Sequence, residues 1–242
     1  MSDALPAFQP LYAQVQHKLR ARIADGGWKP GALLPSEFRL ADEYRVSQGT
    51  VRKALLALEA ERLIVRRQGS GTYVARHTSE AALFHFFRMV GPDDARLAPT
   101  SHVLRTATEP ASAMVARLLG TPPGDALHAI TRLRSLAGRP AIFERILVPV
   151  ALMPDLAVPP GGPMAEEMYV IYQARFGITI ARASERLAAV AAAAEEAGHL
   201  GLDAGAPLLE ISRIATDLTG RAVELRISRC DTSRARYAAE VS

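Results

Sequence analysis

The stretch VSQGTVRKALLALEAERL, Val46–Leu63, sets the reading of this chain, together with LPSEFRLADEY before it and IVRRQGSGTYV after it. Ser47 stands where a helix needs an N-cap, and Val51, Leu55 and Leu58 recur at the spacing that puts them on one inward face. Ala54 is small enough to let a second helix approach closely. Upstream, Ser36 caps a shorter helix and Glu37 puts a carboxylate in its first turn, where the helix dipole favours it. Leu40, Ala41 and Tyr44 form its inner side, and Arg45-Val46 makes the turn between the two helices. Gln48, Gly49, Thr50, Arg52 and Lys53 crowd the exposed start of the later helix. From that position side chains reach base edges and phosphates in a major groove. A strand then carries Arg66 and Arg67 into a tight turn at Gln68-Gly69-Ser70-Gly71, and Thr72, Tyr73 and Val74 return. Helix, turn, helix and basic hairpin predict a unit that enters DNA.

Outward from this unit, Leu11, Val15, Leu19 and Ile23 recur at steps of four in PLYAQVQHKLRARIA, which predicts an amphipathic helix ended by GGWKPG. Charge follows the same division. Residues 1–76 hold 12 Lys and Arg against 7 Asp and Glu, whereas the remainder holds 17 against 18. The basic excess lies with the candidate DNA-reading unit, as attraction to phosphates requires.

Beyond a polar joint near residues 76–82, the texture changes. Leu83–Val90 is rich in aromatics and predicts a strand, GPDDARLAP a loop, and Ala111–Leu119 a helix. Ala126–Leu136 and Pro140–Pro149 flank Ala137-Gly138-Arg139 as a β-hairpin. A three-residue loop there pairs Leu136 with Pro140, and so Arg132 with Glu144. Arg132 and Arg134 share one face of their strand. Two guanidiniums at i and i+2 beside a carboxylate form either an anion-binding clamp with its own orienting partner or an ordinary cross-strand ion pair on a wet face. Ala165–Phe176 predicts a helix closed by Gly177, and the alanine-rich run from about Ala183 to Leu200 predicts a long one. Two strands joined near Leu218-Thr219-Gly220 follow. On the last of them Glu224, Arg226 and Ser228 alternate with Val223, Leu225 and Ile227, the pattern of a half-buried antiparallel strand with a polar or ligand-facing side.

Residues 10–75, through PGALLPSE, VSQGTVRKAL and RRQGSGTYV, resemble the winged helix-turn-helix domain of the GntR family of bacterial transcription regulators. The resemblance implies DNA contacts by Arg39, Ser47, Gln48, Thr50, Arg52, Lys53, Gln68 and Gly69, with Arg66 and Arg67 at the base of the wing. Members often have arginine where this chain has Phe38 and Gln48. Arginine commonly reads guanine bidentately, whereas glutamine pairs with adenine in the same way. Residues 83–240 are similar to the UTRA effector-binding domain of the HutC-type subfamily, whose fold is like that of chorismate lyase. The similarity rests on RLR at 132–134, the spacing from Pro140 through Glu144 to Pro149, RFGI at 175–178 and AVE at 222–224. It implies an effector pocket lined by Arg132, Arg134, Glu144, Tyr169 and Glu224. Where relatives often carry Ser-Leu-Tyr this chain has Glu167-Met168-Tyr169, and many have a tyrosine near the position of Cys230. Both departures argue against a sugar-phosphate effector and leave carboxylates, amines and zwitterions open.

The expected fold class is therefore α+β. It comprises a winged helix-turn-helix at 1–76, a linker at 77–82, and an antiparallel sheet with helices at 83–242 for effector binding and dimerisation. The expected protein is a ligand-responsive regulator, a repressor, binding a palindromic double-stranded DNA operator as a homodimer. The alternative is a metabolite-binding protein or lyase-like enzyme that uses the N-terminal unit for assembly. His17, His77, His85, His102, His128 and His199 are scattered without metal-ligand spacing, no phosphate-cradling P-loop occurs, and Cys230 has no histidine near it in sequence. No catalytic residue, metal or cofactor is expected. One cysteine, no signal-peptide pattern and no apolar span suit a cytoplasmic protein, on the nucleoid when bound to DNA, with no membrane partner.

Overall fold

The computed structural model describes residues 9–76, 78, 86–164 and 166–239. Three helices open the chain, α1 (Leu11–Ala24), α2 (Glu37–Tyr44) and α3 (Gln48–Ala60), followed by an antiparallel hairpin of β1 (Ile64–Arg67) and β2 (Gly71–Val74). The caps form as the serines predict. Ser36 Oγ accepts from Arg39 N at 3.3 Å and Ser47 Oγ from Thr50 N at 3.1 Å. Arg45 takes the left-handed conformation, φ 53°, and turns α2 into α3. Val15, Leu19, Ile23, Leu40, Val51, Ala54, Leu55 and Leu58 close one core with Ile64 and Val74. Leu11 does not join them; one turn short of the core, it is 56 % exposed. Gly71, at φ 121°, brings its backbone under Leu33, whose Cδ1 would stand 2.7 Å from an added Cβ.

The rest is built on a six-stranded antiparallel sheet. Its strands are β4 (Thr100–Pro110), β5 (Ala126–Leu136), β6 (Arg139–Pro149), β7 (Ile180–Ala191), β8 (Pro207–Asp217) and β9 (Ala222–Cys230), in the order β4-β5-β6-β9-β8-β7. The short strands β3 (Met89–Val90) and β10 (Arg236–Tyr237) pair apart from it. Helix α4 (Ala113–Leu119) packs with Leu127, Ala129, Leu147 and Leu225. Helix α5 (Met168–Phe176) packs through Met168, Tyr169 and Tyr172 with Ile130, Ile146, Val148 and Val223. Helix α6 (Ala194–Leu200) contributes Ala197 and Leu200 to a cluster with Phe143 and Leu208.

Several expectations are corrected. The alanine-rich run is not one helix: Ile180–Ala191 is a strand at the sheet edge, and only Ala194–Leu200 is helical. Alanine favours helix locally, but pairing with β8 along the segment from Ile180↔Asp217 to Ala191↔Pro207 overrides that preference. Thr100–Pro110, which carries no strong local signal, is a strand paired to β5. Of the described part of the strand expected at Leu83–Val90, Phe86 is helical and only Met89–Val90 is strand; residues 83–85 lie outside the described residues, as do 77 and 79–82 of the expected linker. The helix expected from Ala165 begins at Met168, with Glu167 at its N-cap and residue 165 outside the described residues. The β5–β6 turn has two residues rather than three, Ala137 (φ 48°) and Gly138 (φ 78°), so Leu136 pairs with Arg139. A bulge after Arg134 takes up the extra residue on β6, and Arg132 still faces Glu144.

Candidate functional site

The N-terminal unit presents its polar groups outward. Arg39, Ser47, Gln48, Arg52, Lys53, Arg67, Gln68 and Gly69 are exposed, and Gly49 with them. Thr50 is half-buried, and its hydroxyl lies 2.9 Å from Ser47 Oγ, which makes it part of the cap. Glu37 joins the start of α2 to α3 and the wing: its Oε2 accepts from Arg52 Nε at 3.0 Å, and its Oε1 lies 3.5 Å from Arg66 Nη2. Arg66 is held again by Glu59 at 3.3 Å, so it braces the wing from inside. Arg67 lies over the Tyr73 ring and Lys53 over the Tyr12 ring, with 4.9 and 4.2 Å to the centroids. At the wing tip Gly69 takes φ 70°, and Ser70 N donates to Arg67 O. Phe38, where relatives often have arginine, stands 68 % exposed on α2.

The second group of residues is a belt of charge across the sheet under α5. Register brings Arg132 on β5 opposite Glu144 on β6, Glu144 opposite Ser228 on β9, Arg226 opposite Arg213 on β8, and Arg213 opposite Glu185 on β7. The centre of the belt is sealed from water, which rules out the wet-face ion pair: Arg132 and Glu224 have no exposed surface, and Arg134, Glu144 and Arg226 almost none. Arg132 Nε donates to Glu144, whose other oxygen accepts from Ser228 Oγ at 2.9 Å. Glu224 accepts from Arg226 Nε and Nη2, both at 2.9 Å, from Tyr172 OH at 2.7 Å and from Tyr169 OH at 3.2 Å. Arg134 Nη2 donates to Glu167 Oε1 at 2.6 Å.

Electrostatics follow from this packing. Burial by itself would raise the Glu144 pKa, but the guanidiniums of Arg132, Arg226 and Arg134 outweigh it and hold the carboxyl well below its ordinary range. Burial, then the neighbouring Arg132, pushes Arg134 down to about 10. Burial and the charge of Glu224 push Tyr169 up to about 12. Burial also raises the Cys230 thiol, which leaves it a protonated packing group.

Of the five residues expected in the pocket, the structure places Arg132 and Glu144 in one ion pair and Tyr169 and Glu224 in one hydrogen bond; Arg134 reaches Glu167 instead. Arg226, Tyr172, Ser228, Arg213, Glu185 and Glu167 complete the belt. The alternation of Glu224, Arg226 and Ser228 signalled part of it in sequence, whereas Glu185 was hidden by the helical reading of β7. Phe86 and Phe87 roof it. Phe86 packs edge-on to Tyr169 at 5.0 Å, the Arg134 guanidinium lies 5.0 Å from the Phe87 ring, and Arg213 donates to Phe86 O. Between this roof, Glu167 and Arg226 the cavity is about 20 Å³, room for one water.

Both halves match known families. Residues 11–74 fit the family described as bacterial regulatory proteins, gntR family, and residues 94–236 fit the UTRA domain. The chain is 31 % identical over 216 residues to the HTH-type transcriptional repressor NagR of Bacillus subtilis, across 89 % of this chain and 88 % of NagR. The chain belongs to the GntR family. It is 29 % identical to the HTH-type transcriptional regulator SmoD of Agrobacterium fabrum, over 96 % of each. The structure of PhnF from Mycobacterium smegmatis superposes with a TM-score of 0.56 at 25 % identity, covering 94 % of this chain and 99 % of that one. This GntR-family protein is a DNA-binding transcription regulator with an effector domain, and not an enzyme. No helix among the described residues is long and apolar enough to cross a membrane.

Proposed function

We propose that this protein is a repressor that binds a palindromic operator as a homodimer and is controlled by a small molecule held in the charged belt. Residues 1–76 form the DNA-binding head, 77–82 the joint, and 83–242 the effector-binding and dimerisation unit. The protein acts in the cytoplasm, on the nucleoid when DNA is bound. The observation that carries the reading is the start of α3: a capped helix end with Gln48, Gly49 and Arg52 exposed, braced to α2 and the wing through Glu37. Gln48 would read A·T pairs or touch the backbone, Arg39 and Arg52 would reach bases or phosphates, and Gln68 and Gly69 would approach the minor groove. Arg67 and Lys53, each lying over an aromatic ring, add positive charge near the phosphates. Arg66, tied to two carboxylates, supports the wing from behind.

Coupling between effector and head has two supports in the geometry. Phe86 and Phe87 roof the belt directly after the segment that leads from the head. Leu218, in the turn between β8 and β9, is buried in the core of the head, and those two strands carry Arg213, Glu224 and Arg226. A ligand that opens the belt must move one or both. By linkage, an effector that releases DNA is itself bound more weakly by the DNA complex. Fluorescence anisotropy with DNA selected from a random pool, repeated across a salt series, tests the reading. Affinity should fall steeply with added salt on all sequences, with a further sequence-dependent advantage for the selected site. Salt-insensitive or absent DNA binding would overturn it.

A further inference from the structure

We infer that Glu167 is a counterion built into the effector pocket, standing where an anionic group of an effector would sit, so that the pocket takes a neutral or amine-bearing polar effector and excludes a phosphate. The inference rests on the reading of the belt as the effector site and names the class of molecule that fits it.

The position of Glu167 is the first support. It is the N-cap residue of α5, where a side chain ordinarily accepts from the helix's own first amides, yet its carboxylate makes no such bond. It turns instead to the arginine pair, Oε1 at 2.6 Å from Arg134 Nη2 and Oε2 at 3.6 Å from Arg132 Nη1. One oxygen to each guanidinium is the way two arginines clasp a bound carboxylate or phosphate.

Charge balance is the second. Arg132, Arg134, Arg213 and Arg226 are matched by Glu144, Glu167, Glu185 and Glu224, each within an ion pair of the belt. A phosphate bound there would add negative charge to a neutral, buried cluster and would face Glu167 at close range, both unfavourable where water is excluded. What remains for a ligand is directional. Arg132 Nη2 and Arg134 Nε are buried with no hydrogen-bond partner among the described residues, beside an acceptor carboxylate. A hydroxyl can accept from either N–H and donate to the Glu167 carboxylate; an ammonium can pair with Glu167 directly. Glu167 and Glu185 are the less buried carboxylates, 14 % and 13 % exposed against 4 % for Glu144 and none for Glu224, and of the two Glu167 is the one that lies against Arg132 and Arg134.

The test is thermal unfolding of the full chain with inorganic phosphate titrated against sodium chloride of equal ionic strength, for the wild type, E167Q and E167S. The wild type should show no phosphate-specific rise in Tm. Both variants should show a saturable one, with phosphate affinity at least about tenfold above the wild type, the scale of removing one like charge in direct contact. Adding R134M to either variant should abolish it. E167Q keeps the side-chain volume, so it decides the matter should E167S fail to fold. A wild type that saturates with phosphate at the same concentration as the variants overturns the inference and leaves an anion-binding effector site standing. Variants that fold but gain no phosphate response overturn both the inference and the arginine-lined site.

Discussion

Arg52 and Lys53 on α3 and Arg132 and Arg134 on β5 are both close pairs of cations, and they live in opposite surroundings. The Arg52 side chain is 61 % exposed and its carboxylate partner, Glu37, is shared with the wing; Arg132 has no exposed side chain at all. Charges left in water cost little to keep and are available to a polyanion. Charges sealed under a helix are tolerable only while every neighbour is matched. The head is therefore a surface open to a partner from outside, and the belt is an interior that any ligand held there would have to open or rearrange.

The largest expected effect tests the sealed half. Glu144→Ala leaves Arg132 and Arg226 buried without that carboxylate and should lower the unfolding free energy by about 3–5 kcal/mol, read from urea denaturation of the full chain. Replacing the pair together, Arg132→Met with Glu144→Leu, should cost less than the single change. A loss below about 1 kcal/mol for Glu144→Ala would mean the belt is hydrated and the contrast with the head is false.

Glu144 also sets a pH dependence. Its folded pKa lies below the ordinary carboxylate value of 4.5, so the unfolded chain takes up the proton more readily. Its contribution to stability is complete above that ordinary value and is lost as pH falls beneath it toward the folded one. Asp217, held down by Thr219 and Arg221 against the opposing effect of its own burial, adds in the same direction. The Tm of the wild type should fall more steeply below about pH 5 than that of Glu144→Gln. Equal slopes would remove Glu144 from the account.

Arg52→Ala tests the open half. It should weaken binding to selected DNA by about 1–3 kcal/mol if the guanidinium reads a base, while the stability of the fold changes by less than about 0.5 kcal/mol. An equal loss on random DNA would make the residue a phosphate contact instead.

The same difference explains what the sequence disclosed. Caps at Ser36 and Ser47, the turn at Arg45 and the glycine at the wing tip are decided by neighbours within four residues, so the head was legible almost residue by residue. Arg132 opposite Glu144 was legible because strand alternation and a short turn fix it, and a bulge corrected a loop counted one residue too long. The remainder of the belt depends on pairings across the sheet. Glu185 meets Arg213 only because Ile180–Ala191 is a strand, and nothing local in ASERLAAVAA opposes a helix. Glu167 reaches Arg134 across 33 residues, through a helix packing that composition does not announce. Identity at 167 signalled a departure; its partner could come only from three dimensions.

The smallest effect is the most specific to the head. Gly49 lies in the first turn of α3 without a positive φ, and a Cβ there would meet only Ser47 Oγ at 3.8 Å. Nothing inside the protein requires glycine at this place, and glycine lowers helix stability through the freedom it has when unfolded. Gly49→Ala should therefore stabilise the fold, by up to about 1 kcal/mol. A requirement for glycine would come from outside, since a methyl group at the exposed start of a recognition helix would stand between its amides and an approaching phosphate. DNA affinity should fall as Tm rises, and this opposition separates a partner-facing surface from a merely unpacked one. Should the alanine variant gain stability and bind DNA unchanged, the first turn of α3 stands clear of the phosphates, and contact must come from the longer side chains of Gln48 and Arg52.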